Sequence, residues 1–405
     1  MNKIFKRVFT CIFALILSTT FTTNIFSKTI SSENLSDDIY NNYELTTATN
    51  NTDLNIKAKS CCLMEAKTGK ILYKQNENEK TAPASITKIM SLILIMEAIE
   101  KNYFNLKTKI TASEHACSMG GSQIWLEPGE TMTVDELLRA TVIASANDAT
   151  VALAEAISGS EEGFVKEMNA KCKELKMNNT TFKNATGLDA EGHLTTAKDI
   201  ATMSKELIKY DLIKKYSTVW MDSLRNGESE LVNTNKLVRF YEGCTGLKTG
   251  TTGNAGYCLS ATAKRNDMEL IAVILDGQTS KERFNGASKL LDYGFANYTF
   301  KTIEPNTKLL NNIKCKNGLK KDLKITASKK IYTLINKGSN KEINQILNLP
   351  KYVTAPIYKG DIIGKIYVEA DGEKIGAIPV LADENIVKLN FFSSLTLLLK
   401  CILLT

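Results

Sequence analysis

Residues 81–101 read TAPASITKIMSLILIMEAIEK. Pro83 marks the start of a helix that Ile86, Ile89, Met90, Ile93 and Leu94 fill. Apolar residues occupy most of its sides instead of one stripe, so this helix belongs inside a core. It nevertheless opens on a polar pair, Ser85 and Lys88, spaced i and i+3 on one face. A serine hydroxyl is a weak nucleophile until a neighbouring base takes its proton. Lysine can be that base only when burial or a second cation lowers its pKa. The motif alone also fits an N-terminal serine with a solvated lysine, while a helix N-terminus favours developing negative charge. Ser85-Ile-Thr-Lys88 is also the only Ser-x-x-Lys in the chain.

Working outward, SCCLMEAKTGKILYKQ (60–75) reads as a β-hairpin, two apolar runs around a turn at Gly69. Thr133-Val-Asp-Glu136 is a capping-box pattern that opens a helix through DELLRATVIA (135–144). That helix runs into Ser145-Ala-Asn147, and DATVALAEAISG (148–159) and EEGFVKEMNAKCKEL (161–175) are further helical runs. Thr196 and Asp199 give a weaker start signal for KDIATMSKELIKY (198–210). GYCLSATAKRNDMELIAVILDG (256–277) is two β-runs, apolar enough for central strands, and RFNGASKLLDYGFANY (283–298) is a helix. After about residue 298 the texture changes to Lys-rich short runs with Gly and Asn turns, as in PIYKGDIIGKIYVEADGEKIGAIPVLA (356–382). This alternation predicts a small all-β domain. The expected division is a larger region of mixed helices and strands up to about residue 298 and a small all-β domain after it.

The ends carry different signals. Lys3, Lys6 and Arg7 precede the apolar run VFTCIFALIL and then small polar residues, the pattern of a secretory signal over 1–28. The run is too short to span a bilayer. Residues 29–55 are rich in Ser, Thr, Asn and Asp and read as a tether. Residues 387–405, ending in LNFFSSLTLLLKCILLT, are apolar but short of a span. They fit an amphipathic tail at a membrane surface, the alternative being a helix docked on its own domain.

Composition excludes several classes. The chain has 405 residues, 43% of them hydrophobic, enough for one large and one smaller domain. A net charge of +7, with basic residues spread along the chain among acidic ones, points to a solvated basic surface and no nucleic-acid partner. Nine cysteines include no Cys-x-x-Cys, so no zinc or dithiol site is expected; most read as small buried hydrophobes. His115 and His193 have no chemical role assigned and read as structural. No metal and no cofactor is expected.

Two further motifs complete a constellation. Ser145-Ala-Asn147 sits between two helices, where the groups either line a cleft or cap helix ends. Lys-Thr-Gly occurs twice. Lys67-Thr68-Gly69 lies at a hairpin tip, where Gly69 can take a positive φ and Lys67 can face water. Lys248-Thr249-Gly250 precedes small residues and a strand, where glycine permits close backbone approach to an extended substrate.

In the order SxxK, SxN, KTG, this triple resembles that of penicillin-binding proteins and serine β-lactamases. The wider text resembles the serine-type D-alanyl-D-alanine carboxypeptidases, the low-molecular-weight penicillin-binding proteins. PASITKIM, GSQIWLEPGE, IASANDATVALAEAISGS, TFKNATGL, GHLTTAKDIA, GLKTGTTGNAG and RFNGASKLLDYGF carry the likeness over roughly 56–295. A weaker likeness continues into the family's C-terminal β-sandwich, so the resemblance implies a DD-peptidase-like catalytic α/β domain over 56–298, an antiparallel sheet flanked by helices, and a β-sandwich over 299–386. The resemblance implies removal of the terminal D-alanine from peptidoglycan stem peptides ending in D-Ala-D-Ala, and covalent inhibition by β-lactams. It implies Ser85 as nucleophile, Lys88 as base and Ser145 as proton relay. It implies Asn147, Lys248, Thr249 and, less directly, Arg283 as substrate-binding groups, and the backbone N–H groups of Ser85 and Thr251 as the oxyanion hole. Export to the outer face of the cytoplasmic membrane follows from the same likeness. Two alternatives share the motifs. A class A-like β-lactamase needs a water-activating glutamate, for which Glu174-Leu-Lys-Met-Asn178 is the formal match. A non-catalytic envelope-binding protein would keep the fold alone.

Overall fold

The computed structural model describes residues 53–338, 342–370 and 373–391. The signal segment, the tether up to residue 52 and the tail beyond Phe391 lie outside the described residues. Strands β1 (Ala58–Glu65) and β2 (Ile71–Gln75) form the expected hairpin. The Glu65 carboxylate accepts the backbone N–H groups of Lys67 at 2.8 Å and Thr68 at 2.7 Å, and the Thr68 hydroxyl at 2.6 Å, which closes the turn. Gly69 follows with φ 73°. Lys67 does more than face water. Its Nζ lies 5.0 Å from the ring centroid of Tyr332 and 5.9 Å from that of Phe300, both beyond the catalytic region.

Among the helices that follow, five organise the site: α1 (Lys88–Glu100), α2 (Val134–Arg139), α3 (Asn147–Ser158), α4 (Glu161–Glu174) and α5 (Ala197–Leu207). Their starts are chemically specified. Thr133 accepts the Glu136 N–H at 3.3 Å while the Glu136 carboxylate accepts the Thr133 N–H at 2.8 Å, a complete capping box. Thr196 accepts the Asp199 N–H at 3.1 Å. The chain then returns as β3 (Cys244–Thr252), β4 (Gly256–Arg265) and β5 (Met268–Gly277) and closes with α6 (Ser280–Asn297). The sheet order is β2-β1-β5-β4-β3 with every neighbour antiparallel, so β3 is an edge strand. One face packs on α5 through Cys62, Val273 and Leu275, the other on α6 through Leu63, Leu259 and Ile274, while α1 packs among α3, α4 and α5. Every residue of α1 from Lys88 to Met96 is buried, as its all-round apolar sequence requires.

The strands of the C-terminal region are mostly short, as the alternating pattern predicts. They are β6 (Tyr298–Ile303), β7 (Ile313–Lys316), β8 (Asp322–Leu323), β9 (Ile325–Ala327), β10 (Ile331–Asn336), β11 (Ile343–Asn348), β12 (Val353–Thr354), β13 (Ile362–Ala370) and β14 (Glu373–Ala382). They form a four-stranded sheet β9-β14-β13-β11, a three-stranded sheet β8-β7-β12 and the pair β6-β10. Two small apolar clusters fill the space between, one around Ile366, Val368, Ile378 and Val380, the other around Cys315, Leu323 and Ile386. Among the described residues no helix is long and apolar enough to cross a membrane.

The capping box gives a direct test of local specification. Thr133→Ala should destabilise the protein by about 1 kcal/mol, and Thr133→Ser should recover most of it. Thermal midpoints in the order wild type, Ser, Ala check this.

Candidate active site

Ser85 stands on a 3₁₀ turn, Ala84–Thr87, ahead of α1 and not within its first regular turn. The reason is local: Ala84 has φ 48°, in the left-handed region, so the α-helix can begin only beyond it. The 3₁₀ geometry helps the chemistry, because side chains at i and i+3 eclipse when there are three residues per turn. Ser85 Oγ and Lys88 Nζ are 3.0 Å apart.

Two glycines press on this turn. A Cβ on Gly187 would lie 1.8 Å from the Ala84 carbonyl oxygen, and one on Gly250 would lie 3.0 Å from the Ser85 nitrogen. Only glycine lets both backbones approach so closely. His193 supports the turn from behind. Burial pulls its pKa down to about 4, so the ring is neutral. The Lys183 N–H donates to Nδ1 at 3.2 Å, which leaves Nε2–H to donate to Thr87 Oγ1 at 2.8 Å.

Lys88 is wholly buried. Its Nζ contacts Ser85 Oγ, Asn147 Oδ1 at 2.5 Å and the Thr186 carbonyl at 2.8 Å. Burial first, and then the charge of Lys248, hold its pKa well below the usual lysine range, against an opposing pull from Asp148. A neutral amine has two N–H groups and one lone pair. Asn147 Oδ1 and the Thr186 carbonyl can only accept, so they take the two N–H groups. The lone pair is then left for the Ser85 hydroxyl, which can donate.

The chain after α2 widens into a π-helical turn, Ala140–Ala144, that ends at Ser145 with φ 64° and ψ 29°. The Ser145 hydroxyl is buried and has no partner among the described residues. Asn147 opens α3, and its Nδ2 donates to the Gly120 carbonyl at 2.6 Å while its backbone N–H donates to that of Ser122 at 2.7 Å. The next residue, Asp148, accepts the N–H groups of Ile124 and Leu126 at 3.1 Å and of Ala149 at 2.8 Å. Loop 120–126 is thus pinned from below to the residues beside Lys88.

Lys248 lies on edge strand β3, buried, opposite Ser260 of β4. Burial, then the Arg283 charge, lower its pKa to about 7. Thr249 Oγ1 donates to Thr234 Oγ1 at 2.6 Å. Arg283 is also buried, and one terminal nitrogen donates to the Gly250 carbonyl and Thr251 Oγ1 at 3.1 Å and to the Cys258 carbonyl at 3.2 Å. Its guanidinium carbon lies 4.7 Å from the Phe284 ring centroid. This arginine therefore braces β3 and β4 and is not presented as a free cation.

The structure brings Ser85, Lys88, Asn147 and the turn beside Gly250 into contact. Glu174 is elsewhere: it ends α4, is exposed, and accepts from Lys171 at 2.6 Å. The sequence reading had missed the Thr186 carbonyl, Asp148 and Gly187. Asp148 directly follows Asn147, and Thr186-Gly187 stands inside the NATGL text, but a backbone carbonyl leaves no sequence signal.

A family model described as D-alanyl-D-alanine carboxypeptidase matches residues 46–279. The chain belongs to this family. A second model, penicillin-binding protein 5 C-terminal domain, matches residues 298–388. The chain is 46% identical to D-alanyl-D-alanine carboxypeptidase DacF of Bacillus subtilis over 85% of its own length and 90% of the relative's. It is 33% identical to DacC of Escherichia coli, over 83% and 86%. The solved structure of penicillin-binding protein 5 from Haemophilus influenzae superposes with a TM-score of 0.75 at 30% identity, covering 83% of this chain and 99% of that one. The carboxypeptidase family assignment thus spans both the α/β region and the β domain, and it does not favour the β-lactamase alternative.

The packing at Gly187 sets a sharp expectation. Gly187→Ala forces the Ala84–Ser85 peptide to move, and misplacement by about 1 Å costs on the order of a hundredfold in rate. The rate of labelling by a fluorescent penicillin should fall by at least that much.

Proposed function

We propose that the protein is a serine carboxypeptidase that removes the terminal D-alanine from peptidoglycan stem pentapeptides, with Ser85 as the nucleophile. The observation that carries this reading is the buried amine of Lys88, 3.0 Å from Ser85 Oγ, with its N–H groups committed to two pure acceptors. As Ser85 Oγ bonds to the carbonyl carbon of the penultimate D-alanine, its proton passes to Lys88. The carbonyl oxygen becomes an oxyanion that the N–H groups of Ser85 and Thr251 face. When the C–N bond breaks, the leaving amine takes a proton relayed through Ser145, whose hydroxyl has no competing partner. That proton comes from Lys88, which is thereby neutral again; water then attacks the ester, its proton passes to Lys88, and Lys88 returns it to Ser85 Oγ as the ester C–O bond breaks.

Lys248 and Thr249 hold the terminal carboxylate, and Asn147 contacts the peptide. Arg283 acts through Thr251 and the Gly250 backbone as a positioning residue. A β-lactam undergoes the same attack, and its leaving nitrogen stays tethered, so the acyl-enzyme lasts. Because the substrate lies outside the cytoplasmic membrane, residues 1–28 serve as the export signal, and residues 387–405 hold the enzyme at the membrane surface.

Mass spectrometry after penicillin treatment should find one stable adduct, on Ser85, absent in Ser85→Ala, and the untreated enzyme should release D-alanine from a pentapeptide. An adduct on a different serine would overturn the site, and rapid penicillin turnover without an adduct would favour a β-lactamase.

The lysine pair predicts a bell-shaped pH profile for kcat/KM, which reports the free enzyme. Acidification protonates Lys88 and removes the base. Raising pH past about 7 neutralises Lys248 and removes the carboxylate anchor. Lys248→Arg should be slower but should lose its alkaline limb to well above pH 9, because arginine stays charged.

A further inference from the structure

The chain's net charge of +7 is not evenly shared. Residues 298–388 contain sixteen lysines, no arginine and nine acidic residues, an excess equal to that of the whole chain. The catalytic region is therefore close to neutral, and the even spread of basic residues expected from the sequence is too coarse. Charge asymmetry of this kind marks an anionic partner.

Part of the excess gathers where the chain leaves the β domain. Along β7, Ile313 and Cys315 point inward while Lys314 and Lys316 point out. The chain end runs beside this strand: Gly318 bridges Lys388, the Leu319 N–H donates to the Val387 carbonyl at 3.0 Å, and the Leu389 N–H donates to that of Asn317 at 2.8 Å. Lys321 and Lys324 flank β8 and are exposed, with Asp322 the acidic residue between them. Lys320 is paired with Glu384, and Lys359 with Asp383. Apolar side chains stand exposed among these charges. Val387 is 61% exposed and Leu319 46%, and the Tyr352 ring, 47% exposed, lies 3.3 Å from Lys316 Nζ.

We propose that this end of the β domain is a lipid-binding surface in its own right, docking on anionic headgroups. The proposal rests on the reading of residues 387–405 as an interfacial tail. Lipid fits better than a soluble polyanion for two reasons. A polyanion gains nothing from exposed Leu319, Val387 and Tyr352, whereas these side chains enter the headgroup layer. Beyond Phe391 the apolar stretch holds one charged side chain, Lys400, so that stretch cannot by itself distinguish anionic from neutral lipid. A weak apolar anchor becomes stable when a basic patch is added, each lysine near the surface contributing separately.

The test is co-sedimentation of the full chain with phosphatidylcholine vesicles, with and without phosphatidylglycerol, for wild type and for K314Q/K321Q/K324Q/K388Q. These lysines lie on the surface and outside the cleft, so penicillin labelling of the variant should be normal and reports folding. Wild type should bind the anionic vesicles at least about tenfold more tightly at low salt and lose that preference at high salt. The variant should bind neutral vesicles as before and show no preference. Equal wild-type binding to both vesicles, or a variant that keeps the preference, overturns the proposal and leaves the tail reading intact. Binding to anionic vesicles alone supports the patch and removes the tail. Failure to bind either sinks both. A difference between wild type and variant on polyphosphate but not on vesicles means the surface serves a polymer, and the proposal falls.

Discussion

The structure is organised around an amine that must be buried without its charge. Lys88 sits in a closed environment where burial and the nearby Lys248 both oppose protonation. Neither lysine makes an ion pair among the described contacts, and Lys248 finds only the Thr249 carbonyl at 3.3 Å. A buried cation in this position weakens the fold near neutral pH. The sign follows from the lowered pKa of Lys248. Between about pH 7 and the ordinary lysine value the unfolded chain binds a proton that the folded chain does not, so stability rises with pH across that window and levels off below it. The fold tolerates this because the rest of α1 from Ile89 to Met96 is buried among α3, α4 and α5. Stability is given up in one turn of a helix whose other turns supply it.

That constraint explains why elements far apart in sequence meet here. The amine needs two acceptors that cannot donate, and they come from the start of α3 and from the loop at Thr186. The loop must approach the Ser85 turn from one side while β3 approaches from the other, which is why glycine stands at both 187 and 250. An edge strand suits the second role, since β3 has one side free of sheet pairing. The two Lys-Thr-Gly tripeptides separate on the same ground. Lys248-Thr249-Gly250 lies in a strand against the nucleophile, and Lys67-Thr68-Gly69 closes a turn around the Glu65 carboxylate.

Much of this was legible in the sequence, for identifiable reasons. The apolar run of α1 forces burial of the helix whatever else surrounds it, whereas the burial of the lysine at its start, which the motif alone leaves open, is a tertiary fact. The Thr133–Glu136 capping box and the two central strands are local patterns with one structural solution each. What escaped were features made by backbone or by distance. The Thr186 carbonyl has no side-chain signature. The 3₁₀ form of the Ser85 turn depends on the left-handed conformation of Ala84, which no propensity favours. Arg283 was legible as a cation near the site, but its hydrogen bonds to Gly250, Thr251 and Cys258 belong to the tertiary structure. Lys67 read as solvated because its ring partners, Phe300 and Tyr332, are more than 200 residues away in sequence.

Those rings give the first Lys-Thr-Gly a place in the working of the molecule. Phe300 is on β6 and Tyr332 on β10, the strand pair that follows directly from α6. On the same stretch Lys337 donates from Nζ to the Phe295 carbonyl at 2.7 Å and from its backbone to that of Asn297 at 2.7 Å. The joint between the α/β region and the β domain is therefore made of continuous chain, a cation over two rings and hydrogen bonds to the last turn of α6. A single linker would let the two parts swing independently, whereas contacts from both the β1–β2 turn and α6 restrict them. Helix α6 also carries Arg283, which braces the strand beside Ser85. The orientation of the basic β domain and the shape of the cleft thus share one helix, so a surface that fixes the first also constrains how the second meets its substrate.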